Sequence, residues 1–118
     1  MIRPILSALI LCSSTVVFAQ APLRDRGPLT SGNSFIRECQ LSDPTVYAYC
    51  MGYSSGVWDI VTLDRRWGTC PPDGVDMGQA LNVGLAFMRN NPAVTHEPPG
   101  LLLIKSWGAA FPCSKAPK

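Results

Sequence analysis

The stretch "DPTVYAYCMGYSSGVWDIVTL", residues 43–63, decides how this chain folds. Its apolar side chains recur at steps of three and four, which is the spacing of one face of an α-helix. Asp43 followed by Pro44 is a typical helix start, because aspartate caps free backbone N–H groups and proline suits the first helical position. We predict a helix from Pro44 to about Leu63, with an apolar face formed by Val46, Cys50, Tyr53, Val57, Ile60 and Val61.

The beginning of the same stretch also permits a strand. The segment "TVYAYC", residues 45–50, is rich in β-branched and aromatic residues, which favour strands. Such a strand would lead into a turn at the glycines. The three-to-four periodicity continues across Gly52 and Gly56, however, whereas a strand–turn–helix unit would interrupt it. We therefore interpret the whole stretch as one helix.

Residues 52–56, "GYSSG", match G-x-S-x-G, the nucleophile elbow of serine hydrolases. Ser54 would then be the nucleophile and His96 the base. The candidate acids between them in sequence are Asp59, Asp64, Asp73 and Asp76. The chain is much shorter than that fold needs and lacks its alternating strands and helices. We therefore expect no catalytic residues and no enzyme activity.

Helix packing offers another explanation of the two glycines. Ala48, Gly52 and Gly56 are spaced by four and lie on one side of the predicted helix, with Ser55 adjacent. Each glycine costs roughly 1 kcal/mol of helix propensity relative to alanine. Close packing of a neighbouring helix can offset that cost. The stripe predicts a helix-packing groove.

Three further helices are predicted from caps and breakers, over residues 31–39, 76–90 and 99–111. Ser31 or Asn33 caps the first, and Asp76, with Gln79 three residues later, caps the next. Pro112 closes the last. No convincing strand remains, so the fold class is all-α, a small bundle of about four helices.

The N-terminal segment predicts a signal peptide. Arg3 supplies a positive start, a short apolar run follows, and Val17 and Ala19 suit cleavage between Ala19 and Gln20. Retention as an uncleaved anchor and lipid attachment at Cys12 are the alternatives. The expected organisation is a signal peptide over residues 1–19, a flexible N-terminal arm over 20–30, a helical domain over 31–114 and a basic tail over 115–118.

Four cysteines, Cys39, Cys50, Cys70 and Cys113, remain after cleavage. An exported domain of this size builds a modest core, so disulfides are expected. Four cysteines allow three pairings. Because sequential helices with short connections pack antiparallel, that layout favours Cys39 with Cys50 and Cys70 with Cys113. The chain has no C-x-x-C motif and a lone histidine, so we expect no metal and no cofactor.

Charge and hydropathy narrow the choice of partners. After cleavage, nine Lys and Arg face eight Asp and Glu, because the full chain has ten and eight and the signal peptide removes Arg3. No basic stripe carries interleaved aromatic residues, so we expect no nucleic acid. No long apolar run follows the signal peptide, so we expect no membrane association after cleavage.

The candidates for a protein contact lie in the loop after the second helix, and they are Arg65, Arg66, Trp67 and Asp73. Arginine and tryptophan are enriched at the energetic centres of protein interfaces. The competing interpretation is a solvated helix end whose cations satisfy the helix dipole. A ligand cage formed by Trp58, Trp67 and Trp107 is less favoured than a core containing most of them.

Four short motifs occur in order: C-x-G-Y-x-x-G-V-x-D at residues 50–59, C-P-P-x-G-V-x-x-G-Q at 70–79, N-P-x-x-x-H-x-P at 91–98 and A-F-P-C at 110–113. Together with the cysteines and the signal peptide, they resemble the Rap1a/Tai immunity protein family. The resemblance runs from about Phe35 to Cys113. Two departures are Ser54, where the family typically has an aliphatic residue, and "PPG" at residues 98–100, where Pro-Ala is usual.

The resemblance implies a small periplasmic helical protein with intramolecular disulfides, often a homodimer. It also implies a non-enzymatic binder that neutralises a peptidoglycan amidase delivered by type VI secretion. Occlusion of the amidase active site needs no chemistry of its own. No toxin-contacting residue carries over, because the shared motifs are fold determinants. The alternative is an orphan periplasmic structural or stress-related protein with the same fold and no toxin partner.

Overall fold

The computed structural model describes residues 29–40 and 43–114. These residues form four α-helices, α1 (Gly32–Cys39), α2 (Pro44–Leu63), α3 (Met77–Asn90) and α4 (Pro99–Ala110), and two short 3-10 helices, Arg65–Trp67 and Pro92–Val94. The described part contains no strand, only an isolated antiparallel bridge between Thr69 and Pro112. The prediction of a small all-α bundle is confirmed. The predicted signal peptide with its cleavage point, residues 20–28 of the arm and the basic tail lie outside the described residues.

The first three helices begin at the predicted caps. The Ser31 hydroxyl accepts the Ser34 N–H, and the Ser34 hydroxyl accepts the Ser31 N–H in return. The Asp43 carboxylate accepts the N–H of Thr45 at 2.8 Å, and the Asp76 carboxylate caps α3 in the same way. These side chains satisfy backbone donors that a helix start leaves unpaired. Local sequence therefore fixes where α1, α2 and α3 begin.

The indole of Trp107 links helices across the core. Trp107 of α4 is fully buried, and its Nε1–H donates to the carbonyl oxygen of Ala80 in α3 at 2.8 Å. The ring of Trp58 in α2 meets it edge-on, with the ring centroids 5.0 Å apart. The apolar side chains buried around it include Phe35, Val46, Val61, Leu81, Leu85, Met88, Leu102 and Leu103. The core is thus built from all four helices.

Glycine permits close helix contact in the bundle on α1 and α3. A Cβ added at Gly84 would overlap the side chain of Leu103, and one at Gly32 would overlap that of Leu102. At Gly32 the added atom would also lie 3.1 Å from the carbonyl oxygen of Thr95. Both glycines therefore let α4 and the turn before it lie close to their neighbours.

No helix of the described chain packs in the groove predicted on α2. Ala48, Gly52 and Gly56 all face outward, and a Cβ added at either glycine would meet nothing within 4 Å. Ile60, which we assigned to the apolar inner face, is 57% exposed. The physical reason is that α2 is apolar on nearly its whole circumference, so its periodicity fits more than one face. The bundle buries the side that carries Ser54 instead.

The two disulfides join Cys39 to Cys50 and Cys70 to Cys113, with Cα–Cα distances of 5.8 Å and 4.8 Å. This is the pairing expected from antiparallel sequential helices. The first bridge is buried and links α1 to α2. The second is half-buried and fastens the segment after α2 to the segment after α4. The two bridges therefore have different roles, one inside the core and one at the end of the bundle.

Replacing Cys70 and Cys113 together by serine should lower the free energy of unfolding by about 4 kcal/mol, because the bridge spans 43 residues of chain. Both side chains are half-buried, so serine introduces little additional burial cost. Denaturant unfolding under non-reducing conditions measures the change. A loss below about 1 kcal/mol would show that the bridge does not constrain the unfolded chain as this entropy argument requires.

Candidate functional site

The candidate site is the loop of residues 65–73, which we call the tethered loop. It begins with Arg65, Arg66 and Trp67, which form a 3-10 helix directly after α2 and are all exposed. Gly68 then adopts the left-handed conformation, with φ of 74°, which glycine adopts without steric cost. This turn separates the three exposed side chains from the buried continuation of the loop.

Three ties hold the tethered loop against the chain after α4. The N–H of Cys70 donates to the carbonyl oxygen of Phe111 at 2.8 Å, and the N–H of Cys113 donates to that of Gly68 at 3.3 Å. The disulfide between Cys70 and Cys113 adds a covalent link. Thr69, between these ties, is only 1% exposed. The exposed side chains are therefore presented from a fixed backbone rather than from a free loop.

One arginine of the loop is already oriented within the chain. The Asp64 carboxylate accepts the backbone N–H of Arg66 at 2.9 Å and its side-chain Nε–H at 2.8 Å. The side-chain hydrogen bond from Arg66 is the main reason why the pKa of Asp64 is lowered, and the same bond raises the pKa of Arg66. Arg65 forms no ion pair with any described residue. Its guanidinium is available for an external partner.

The three tryptophans do not form a cage. Trp58 and Trp107 contact each other in the core, whereas Trp67 is 48% exposed on the tethered loop. Asp73 is also exposed, but it lies beyond Cys70 in a turn that precedes Gly74. The structure therefore brings Arg65, Arg66 and Trp67 together in one short helix. Asp73 follows Cys70 in the sequence and lies outside that helix.

The hydrolase hypothesis finds no support in the geometry. Ser54 is 0% exposed, and its hydroxyl has no hydrogen-bond partner among the described residues. His96 is exposed in the turn before α4 and forms no hydrogen bond with this hydroxyl. A nucleophile needs both access to substrate and a base within hydrogen-bond reach. The G-x-S-x-G match is a coincidence of residues inside a helix.

Sequence reasoning missed a second exposed surface, on the outer side of α2. Tyr49, Ile60 and Leu63 are 58%, 57% and 85% exposed there. The available signal was the apolar character of the whole circumference of α2, which exceeds what one buried face requires.

Within the described ranges, no helix is both long enough and apolar enough to cross a membrane. No cluster of three or more described His, Cys, Asp or Glu residues could hold a metal ion.

The described residues form a small, disulfide-bonded helical domain with a fixed exposed surface on the tethered loop. The family model of Rap1a immunity proteins matches residues 31–113 of this chain. The chain therefore belongs to the Rap1a immunity protein family, as its motifs indicated. Membership implies an immunity role against a type VI effector, which such proteins exert by binding rather than by catalysis. Searches of curated proteins and of solved structures gave no match.

Replacing Ser54 by alanine should raise the free energy of unfolding by about 1 kcal/mol, because it removes a buried hydroxyl that has no partner. Ser106 is the matched control, since it is 2% exposed and also helical, but its hydroxyl donates to the carbonyl oxygen of Leu103 at 2.8 Å. Ser106→Ala should lower stability by up to about 1 kcal/mol. Thermal and denaturant unfolding measure both variants. Equal effects of the two changes would contradict the assignment of Ser54 as an unsatisfied group.

Proposed function

We propose that this protein is a periplasmic immunity protein that neutralises a peptidoglycan amidase effector by occluding its active site. The observation that carries the proposal is the tethered loop, in which Arg65, Arg66 and Trp67 project from a backbone held by the Cys70–Cys113 bridge. Arginine and tryptophan are the residue types that most often carry binding energy at protein interfaces. Family membership supplies the class of partner.

Fixation of the loop is what makes it suitable for tight binding. A flexible loop loses conformational entropy when it is ordered by a partner, and this loss reduces affinity. Here the ordering is done by the hydrogen bond from Cys70 to Phe111, by the bond from Cys113 to Gly68 and by the disulfide. The loop can therefore enter a cleft of the effector without a large entropic cost.

The two arginines are suited to different parts of that contact. Arg66 is oriented by Asp64 and presents a neutralised pair next to the indole of Trp67. Arg65 has no such partner among the described residues, so it can form a bidentate pair with a carboxylate of the effector. The half-exposed indole offers apolar area for the contact. The free guanidinium beside it fixes the orientation of the partner through the bidentate pair.

The periplasmic location rests on two features. Residues 1–19 have the pattern of a signal peptide, and two disulfides are the expected supplement of a small exported domain. The proposal also includes a homodimer, which the resemblance to the family implies. The proposal includes no interaction with nucleic acid and, after cleavage, none with a membrane.

Capture from extracts tests the partner. The tagged protein, expressed with residues 1–19 and recovered without reductant, is exposed to extracts of its own cells and of close competitors, and bound proteins are identified by mass spectrometry. A stoichiometric peptidoglycan amidase whose activity the protein abolishes is the expected result. Recovery of the protein alone, from extracts shown to contain amidases, would contradict the proposal and favour the orphan periplasmic protein.

Substitutions in the tethered loop test the contact. Trp67→Ala and Arg65→Ala should each weaken binding to the captured amidase by about tenfold or more, because residues of these types dominate interface energetics. Asp73→Ala, in the turn after Cys70 and outside the 3-10 helix, should have a smaller effect. Calorimetric titration measures affinity, and thermal unfolding confirms that the variants fold. Arg89→Ala, at an exposed arginine in the last turn of α3, is the control. Unchanged affinity in the loop variants would exclude this loop as the contact.

A further inference from the structure

The two disulfides differ in how easily an external thiol can reach them. Cys39 and Cys50 are 5% and 0% exposed and lie inside α1 and α2. Cys70 and Cys113 are half-buried and lie outside the helices, in the tethered loop and in the segment after α4. Thiol–disulfide exchange requires a thiolate to reach one of the two sulfurs directly. The Cys70–Cys113 bridge is therefore the one that a thiol can attack without opening the core.

Few other contacts hold the tethered loop to the segment after α4. Among the described residues, two backbone hydrogen bonds join them, from Cys70 to Phe111 at 2.8 Å and from Cys113 to Gly68 at 3.3 Å. These bonds belong to an isolated antiparallel bridge, with no strand pairing on either side in the described part of the chain. A short pairing of this kind is marginally stable on its own. The disulfide is the strongest tie between the two segments.

The side chain of Thr69 opposes closure of the loop. It is 1% exposed, and its hydroxyl has no hydrogen-bond partner among the described residues. Its oxygen lies against α4, 3.8 Å from the position that a Cβ on Gly108 would occupy. A hydroxyl buried in this way loses the hydrogen bonds that it forms with water when the loop is open. The closed loop therefore carries a free-energy penalty, which the covalent bridge offsets.

Backbone freedom also favours the open loop once the bridge is cut. The connection between α2 and α3 contains Gly68 and Gly74, which are held at φ values of 74° and 90°. Glycine regains more conformational freedom than any other residue when a segment is released. A reduced loop would present residues 65–67 from a flexible connection. A partner that orders this connection again does so at a cost in affinity.

We propose that the Cys70–Cys113 bridge is a redox switch on the tethered loop. An external dithiol, of the kind found in the Cys-x-x-Cys pair of a thiol–disulfide oxidoreductase, reduces this bridge and leaves Cys39–Cys50 intact. The loop then detaches from the segment after α4. Detachment does not depend on the effector. Its consequence, weaker binding of the effector, rests on the proposed function.

The exchange needs no reactant other than the dithiol. One thiolate of the dithiol attacks a sulfur of the bridge, forms a mixed disulfide with it and displaces the other cysteine, which takes up a proton. The second thiol of the reagent loses its proton, attacks the reagent's own sulfur in the mixed disulfide and releases the remaining cysteine. Two electrons thus pass to the bridge, and the reagent leaves as a disulfide.

Reduction by dithiothreitol tests the selectivity. The folded protein, recovered without reductant, is treated for increasing times, blocked with iodoacetamide and digested, and mass spectrometry quantifies the alkylation of each cysteine. Cys70 and Cys113 should be reduced about tenfold faster or more than Cys39 and Cys50, because access controls the exchange rate. Equal rates, or earlier reduction of the buried bridge, would overturn the switch.

Hydrogen exchange tests the release of the loop. Replacing both Cys70 and Cys113 by serine imitates the reduced bridge without any reductant. The backbone amides at positions 70 and 113 should then exchange about tenfold faster or more, at labelling times at which α3 remains protected. Unchanged protection at these positions would overturn the switch. Equal loss of protection in α3 would also overturn it, because the bridge would then hold the whole bundle rather than the loop.

A third substitution tests the contribution of Thr69. In the protein with both serines, Thr69→Val removes the unpaired hydroxyl and should slow exchange of the amide at position 70 again, by severalfold. With the bridge intact, the same substitution should change this exchange little. Identical exchange with and without Thr69→Val in the serine variant would show that the buried hydroxyl does not drive release.

Titration with the captured amidase tests the effect on the effector. The protein is reduced with dithiothreitol, blocked with iodoacetamide and freed of both reagents, so that disulfides of the amidase are not affected. Its affinity should be about tenfold lower or more than that of the untreated protein. Unchanged affinity with a released loop would overturn the regulation of binding. Failure to capture any amidase would instead contradict the proposed function, and the alkylation and exchange experiments would still decide whether the bridge is a switch.

Discussion

The buried indole of Trp107 links α4 to two other helices of the bundle. Its N–H donates to the carbonyl oxygen of Ala80, which ties α4 to α3, and its ring meets Trp58, which ties α4 to α2. A buried N–H without an acceptor would be costly, so this hydrogen bond fixes the ring as well as filling space. Three helices are thereby held at one point, and the chain after α4 leaves the bundle in a defined direction.

The direction in which the chain leaves α4 determines where the tethered loop lies. Phe111 follows α4 and packs edge-on against Trp58, with the centroids 5.9 Å apart. Its carbonyl oxygen accepts the N–H of Cys70, and the bridge from Cys70 to Cys113 closes the same junction. Packing in the core therefore fixes the position of the tethered loop. The exposed residues 65–67 are positioned by contacts that they do not themselves make.

Local chemistry predicted most of the fold but not the orientation of α2. Caps such as Asp43 and Asp76 act through adjacent backbone groups, so they are readable from sequence. The facing of α2 depends on how three other helices pack, and its apolar circumference did not reveal it. The residue types of the loop predicted Trp67 as a candidate contact, and the structure shows that it is exposed. The backbone hydrogen bonds that fix the loop could not be predicted, because no residue type marks such a pair, whereas cysteines mark the disulfide that joins the same segments.

In the proposed function, the tethered loop on this rigid frame is the surface that contacts the effector. Hydroxyl-radical footprinting of the protein alone and in the effector complex tests it most directly. Oxidation of Trp67 should fall strongly in the complex, whereas Tyr47, which is similarly exposed on α2, should remain reactive. Trp107 is buried in both states and reports whether the core stays closed. Protection of Tyr47 with Trp67 still fully reactive would show that the effector contacts α2 and not the tethered loop.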